Sequence, residues 1–142
     1  MIDYQTDYYG WTVEQADLLK TGHWQEIDIK NLIEEVESMG RSEKRSLESR
    51  MIVLITHLLK WQYQPVRRGK SWELTIKAQR VSCLDVLEDN PSLKSKLDEL
   101  FFKAYYRAKL EAAKETGLDE DDFPEESPYT LSQLFDNNYY PE

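Results

Sequence analysis

The stretch from Met51 to Trp72, MIVLITHLLKWQYQPVRRGKSW, constrains the fold more than any other. Its first half is the most apolar run of the chain, and its second half is basic and aromatic, broken by Pro65. On a helical wheel Leu47, Met51, Leu54, Ile55 and Leu58 share one face, at spacings of three and four. Ile52, Leu59 and Tyr63 fall roughly opposite. A helix apolar nearly all round is buried on several sides, so the pattern predicts a central helix over about 42–63 with the other helices around it. Pro65 ends that helix, because it removes a donor and pushes Gln64 out of helical geometry. Two polar groups interrupt the run. The Thr56 hydroxyl can bond back to the carbonyl one turn earlier. His57 is expected to lack that route, so a buried, hydrogen-bonded and structural imidazole is predicted.

The flanking sequence punctuates readily. A first helix is predicted from about Asp7, its cap, to Lys20, with Gly22 as the left-handed stop. Tyr4, Trp11 and Leu18, with Tyr8 and Leu19 beside them, form its expected buried stripe. A second helix is predicted from Ile29 to Met39, capped by Asp28 and ended by Gly40. Ile29, Leu32, Ile33, Val36 and Met39 make its apolar face. After Pro65, Ser71 is read as the cap of a fourth helix through Leu87, with Ile76, Leu84 and Leu87 inward and Cys83 close by. Asn90-Pro91 opens a fifth, Ser92 to about Glu115, stopped by Gly117. Leu93, Leu97, Leu100, Phe101, Ala104 and Ala108 form its core stripe. A short helix begun by Ser127-Pro128 follows an acidic loop, DEDDFPEE at 119–126. No strand-like alternation or internal repeat is present. The expected fold is therefore all-α: one domain over 1–142, a bundle of about five main helices plus a short C-terminal one.

The fifth predicted helix carries a second ridge, Phe102, Tyr106 and Leu110. Large apolar patches are rarely left bare, so the first expectation is that the C-terminal segment covers it. The alternative is a homodimer seam.

The longest apolar run is far short of the roughly 20 residues that span a bilayer, and the N-terminus has no basic start or apolar segment. The single cysteine, Cys83, has no internal disulfide partner. A cytoplasmic location without membrane contact is expected. Net charge is −9, which disfavours non-specific nucleic-acid binding. The charge is segregated, however: residues 41–80 hold ten Lys/Arg against three Asp/Glu, and the rest hold eight against twenty-four.

Four segments, WTVEQADLLKTG, NLIEEVESMGRSE, HLLKWQYQPVRRGKSW and FPEESPYTLSQLFD, resemble the bacterial family called domain of unknown function 29. The resemblance covers nearly the whole chain in order and at matching spacing. It implies an all-helical single domain, and it brings no activity with it.

For function, the elbow at 60–80 stands out. Lys60, Arg67, Arg68, Lys70, Lys77 and Arg80 lie close in sequence to Trp61, Tyr63 and Trp72. Arginine forks suit phosphate and carboxylate oxygens, aromatic faces stack bases, and a helix opening at Ser71-Trp72 offers free N–H groups. The expected role is a binding module for an anionic partner: nucleic acid, phosphate or acidic protein. The rival expectation is internal, with the same cations paired to the acidic loop at 119–126 and to Glu34, Glu35 and Glu37. The second function class is a small metal-dependent hydrolase using His57 with Glu34 or Glu35. Against it, the Glu-x-x-His pair of metal-binding bundles is missing. Cys83 reads as a small hydrophobe. No P-loop, dinucleotide fingerprint or CxxC occurs, so no cofactor and no metal is expected.

Overall fold

Asp7 opens the first helix as the sequence predicts. In the computed structural model, which describes residues 1–142, helix α1 spans Tyr8–Thr21, and the Asp7 carboxylate accepts the Gly10 N–H at 3.0 Å. Gly22 ends it at φ 75, a left-handed turn that closes on the Leu18 and Leu19 carbonyls. Helix α2 runs over Ile29–Tyr63, α3 over Lys70–Asp89, α4 over Leu97–Thr116 and the one-turn α5 over Leu131–Leu134. There is no strand, and the all-α bundle expected from the sequence is what forms. The chain forms two compact units, Met1–Ser42 and Glu43–Glu142.

The first unit is built on Trp11. Its ring is buried, and its indole N–H donates to Asp28 Oδ2 at 3.0 Å. Buried Gln15 accepts the Asp28 N–H at 2.8 Å. Asp28 also accepts from the Asn31 side chain (2.8 Å) and backbone (3.3 Å) at the start of α2. One carboxylate therefore caps α2 and ties it to α1. The Asn31 and Trp11 donors hold that carboxyl below its ordinary pKa. Tyr8 and Leu19, expected beside the buried stripe, stay exposed.

Helix α2 corrects the expectation of two helices meeting at Gly40. It is one helix of 35 residues. Glycine in a helix costs about 1 kcal/mol relative to alanine, which is too little to end one flanked by Glu, Lys and Arg with no proline nearby. Gly40 does not adopt the left-handed geometry found at Gly22 and Gly117. The side chains expected to be buried before Gly40 are not: Ile29, Ile33, Val36 and Met39 are 60%, 52%, 60% and 61% exposed.

Within the second unit the apolar-all-round half of α2 behaves as its pattern demands. Leu47, Met51, Leu54, Ile55, Leu58 and Leu59 are fully buried. They pack with Ile76, Cys83 and Leu87 of α3 and with Leu100, Ala104, Tyr105, Ala108 and Ala112 of α4. The small residues of α4 admit a close approach, and Thr56 Oγ1 donates to Ile52 O at 2.7 Å with Ala108 O at 3.5 Å. Ser71 lies inside α3, whose N-cap is Gly69, and Leu84 turns outward, so both expectations are corrected. Pro91 opens a 3-10 turn, Pro91–Lys96, that leads into α4. The last helix starts later than Ser127-Pro128 predicts. Thr130 caps it, and Thr130 and Gln133 each accept the other's backbone N–H, at 3.1 and 3.0 Å. Phe123, Tyr129 and Leu134 of the C-terminal segment enter the core. They do not cover the second ridge of α4, against expectation: Phe102 is 79% exposed, and Tyr106 and Leu110 are also exposed.

Candidate functional site

After Tyr63 the chain makes a 3-10 turn, Pro65–Arg67, and re-enters a helix at Lys70. The cations of this elbow divide into two sets. The first set is engaged within the second unit. Lys60 Nζ lies 3.2 Å from Glu115 and 4.9 Å from the centre of the Trp72 ring, which is half-buried. Arg68 folds back, so that its Nε donates to Trp61 O at 2.6 Å and its guanidinium lies 5.3 Å from the Trp61 ring. Its Nη2 donates to the backbone oxygen of Glu142 at 3.0 Å.

Arg80 is the most deeply placed of the six predicted anion-binding residues. It is fully buried and makes no ion pair. Its Nε donates to Leu134 O at 2.8 Å, and its Nη2 donates to Gln133 O at 3.2 Å and Tyr139 O at 2.8 Å. These carbonyls belong to the end of α5 and the turn after it, where a helix leaves acceptors unsatisfied. The cation also lies 5.5 Å from the Tyr140 ring. Burial pulls its pKa below the ordinary arginine value, while Tyr140 and Asp136 act in the opposite sense. Arg80 is a strut that holds the C-terminal segment, and its expected place in an anion site is corrected accordingly.

The second set consists of Arg67, Lys70 and Lys77. All three are exposed, and none makes an ion pair. Lys70 and Lys77 stand seven residues apart on α3 and so share a face. Val66, 94% exposed, adds an apolar tip to the turn. Gly69 gives α3 no side-chain cap, which leaves the N–H groups of its first turn open to an acceptor. The rival expectation of pairing with residues 119–126 is not met, since no carboxylate of that loop lies in an ion pair. Asp119 and Asp122 cap the loop's own 3-10 turn.

The residues of the alternative site have other engagements. In the first unit Glu34 pairs with Arg41 at 2.9 Å, and Glu35 accepts hydrogen bonds from the Tyr4 and Tyr8 hydroxyls. Those bonds lower the Glu35 pKa and push the Tyr4 phenol up to about 12. In the second unit His57 is half-buried, and its Nδ1 bonds Val53 O, one turn back along α2, at 2.9 Å. The local route expected to be closed to it is therefore the one it uses. Burial lowers its pKa, the Val53 carbonyl opposes that shift, and the smaller effects of Lys60, downward, and Glu115, upward, oppose each other. No cluster of three or more His, Cys, Asp or Glu side chains is placed to hold a metal ion.

Several structural roles escaped the sequence reading. Tyr129 donates to Gln62 Oε1 at 2.8 Å, Trp61 packs on Tyr140 with ring centres 5.0 Å apart, and Tyr63 meets Phe123 edge-on at 4.9 Å. The elbow's aromatics thus pack against the C-terminal segment. No helix is long and apolar enough to cross a membrane.

Residues 4–140 match the family described as "Domain of unknown function DUF29", and the chain belongs to it. No curated protein and no solved structure matches the chain.

Proposed function

We propose that the protein is a binding module whose elbow presents Arg67, Lys70 and Lys77 to an anionic partner: a nucleic acid, a phosphorylated ligand or an acidic protein surface. The observation that carries this reading is the division of the elbow's cations. Lys60, Arg68 and Arg80 are engaged by the fold, whereas Arg67, Lys70 and Lys77 stay exposed and unpaired in a chain of net charge −9. Solubility does not require three free cations on an acidic protein. The uncapped start of α3 beside them adds donors that favour the same sign of ligand.

The test is fluorescence anisotropy with a labelled single-stranded oligonucleotide, with inorganic polyphosphate and polyglutamate as competitors. The expected result is salt-sensitive binding that weakens at least tenfold in Arg67→Glu/Lys70→Glu/Lys77→Glu. The competitor that displaces the probe identifies the partner class. Binding that is unchanged by the triple substitution, or none to any of the three polyanions, overturns the reading.

A further inference from the structure

The first unit carries a surface that the elbow does not explain. Ile29, Ile33, Val36 and Met39 project from α2 at spacings of four, three and three, so they form one stripe. Each is more than half exposed. With Leu32 and Glu37, the first three line a shallow groove of about 270 Å³. Unpartnered apolar stripes of this kind mark interaction surfaces. The charge around the stripe selects the occupant. Residues 1–42 hold nine Asp/Glu against three Lys/Arg, a net −6. Glu37 lines the groove itself. Arg41 meets Glu34 at 2.9 Å and Glu37 at 3.7 Å, so these exposed carboxylates are placed to receive a guanidinium.

We infer that this face of the first unit docks a basic amphipathic helix supplied by another protein. Such a helix lays anchors at i, i+3 or i+4, and i+7 into a groove of matching period, while its Lys and Arg side chains meet the acidic flanks. The stripe extends over eleven residues of α2, Ile29 to Met39, a rise of about 15 Å, which suits three turns of a partner helix. The same charge argues against the other occupants. A second copy of this face would set −6 against −6, and an anionic lipid surface would be repelled in the same way.

The test titrates the full chain by calorimetry with a helical peptide of about 18 Leu and Lys residues, long enough to cover the stripe, with all leucines on one face. Two controls accompany it: a peptide of the same composition with leucines all round, and an amphipathic Leu/Glu peptide. The expected result is at least tenfold tighter binding of the amphipathic Leu/Lys peptide than of either control. Ile33→Ser/Val36→Ser should remove that preference, Glu34→Gln/Glu37→Gln should weaken it, and the elbow triple variant should keep it. Circular dichroism verifies that each variant stays helical. Equal binding of the two Leu/Lys peptides, or binding of neither, overturns the inference. So does a dimer in sedimentation that Ile33→Ser/Val36→Ser dissolves, which would place a second copy on the face. The elbow reading stands or falls separately, on the oligonucleotide.

Discussion

Replacing Arg80 with leucine removes three charge-assisted hydrogen bonds to the carbonyls of Gln133, Leu134 and Tyr139. Each contributes about 1.5 kcal/mol, the low end for a charged donor. One opposing effect must be included. The guanidinium is buried without a carboxylate, and its Nη1 has no hydrogen-bond partner. Leucine relieves that penalty, by about 1–2 kcal/mol, and hydrophobic replacement of a buried charge is sometimes neutral. The difference predicts a net loss of about 2–4 kcal/mol, because the three carbonyls are left facing an apolar side chain. Urea unfolding followed by far-ultraviolet circular dichroism measures it, and tryptophan emission, to which Trp61 contributes as one of four indoles, responds to the loss of its packing on Tyr140. Arg80→Lys should lose nearly as much, since one ammonium cannot reproduce the fork that spans three acceptors. A loss below about 1 kcal/mol in Arg80→Leu, with tryptophan emission unchanged, would refute the strut.

Gly40→Ala should stabilise the protein by about 1 kcal/mol, because an added Cβ meets nothing there and the helix passes straight through; a loss in thermal unfolding would mean that α2 breaks at Gly40. His57 has a folded pKa below its unfolded value of about 6.5, so the unfolded chain binds the proton more readily. Its contribution is complete above that value and is lost as pH falls through the folded pKa. His57→Gln should flatten that part of the pH–stability profile, and an unchanged slope would contradict it. Burial pushes the Cys83 thiol up to about 12, so a thiol reagent at mildly alkaline pH should label it only after denaturant is added.

The sequence was most informative where a residue acts through its own backbone. Pro65 and Gly117 stop helices where they were expected to, and Asp7 and Asp28 cap them. Gly40 misled because glycine ends a helix only when the next turn can adopt left-handed geometry; here the neighbours favour continuation. The period of Ile29, Ile33, Val36 and Met39 showed correctly that they share a face. Periodicity reports that a face is apolar, not what covers it. The elbow was visible through charge segregation, but its division was not. Arg68 reaches the backbone oxygen of Glu142, 74 positions away, and Arg80 that of Leu134, 54 positions away, and a carbonyl leaves no mark on side-chain pattern. His57 shows the same limit from closer range, since its partner is the Val53 carbonyl of its own helix.

The central claim is that the elbow's cations divide into struts and a free recognition surface, and a paired measurement tests it most directly. Arg67→Ala/Lys70→Ala/Lys77→Ala and Arg80→Leu are compared with the parent protein for urea midpoint and for the slope of log affinity against log salt on the oligonucleotide. The account predicts that the triple variant keeps the midpoint and flattens the salt slope, by about 0.7 for each phosphate that a removed cation had neutralised on a single strand. It predicts that Arg80→Leu lowers the midpoint and, under conditions where it stays folded, keeps the slope. A triple variant with the parent's salt slope, or an Arg80→Leu protein of parent stability that no longer binds, would contradict it.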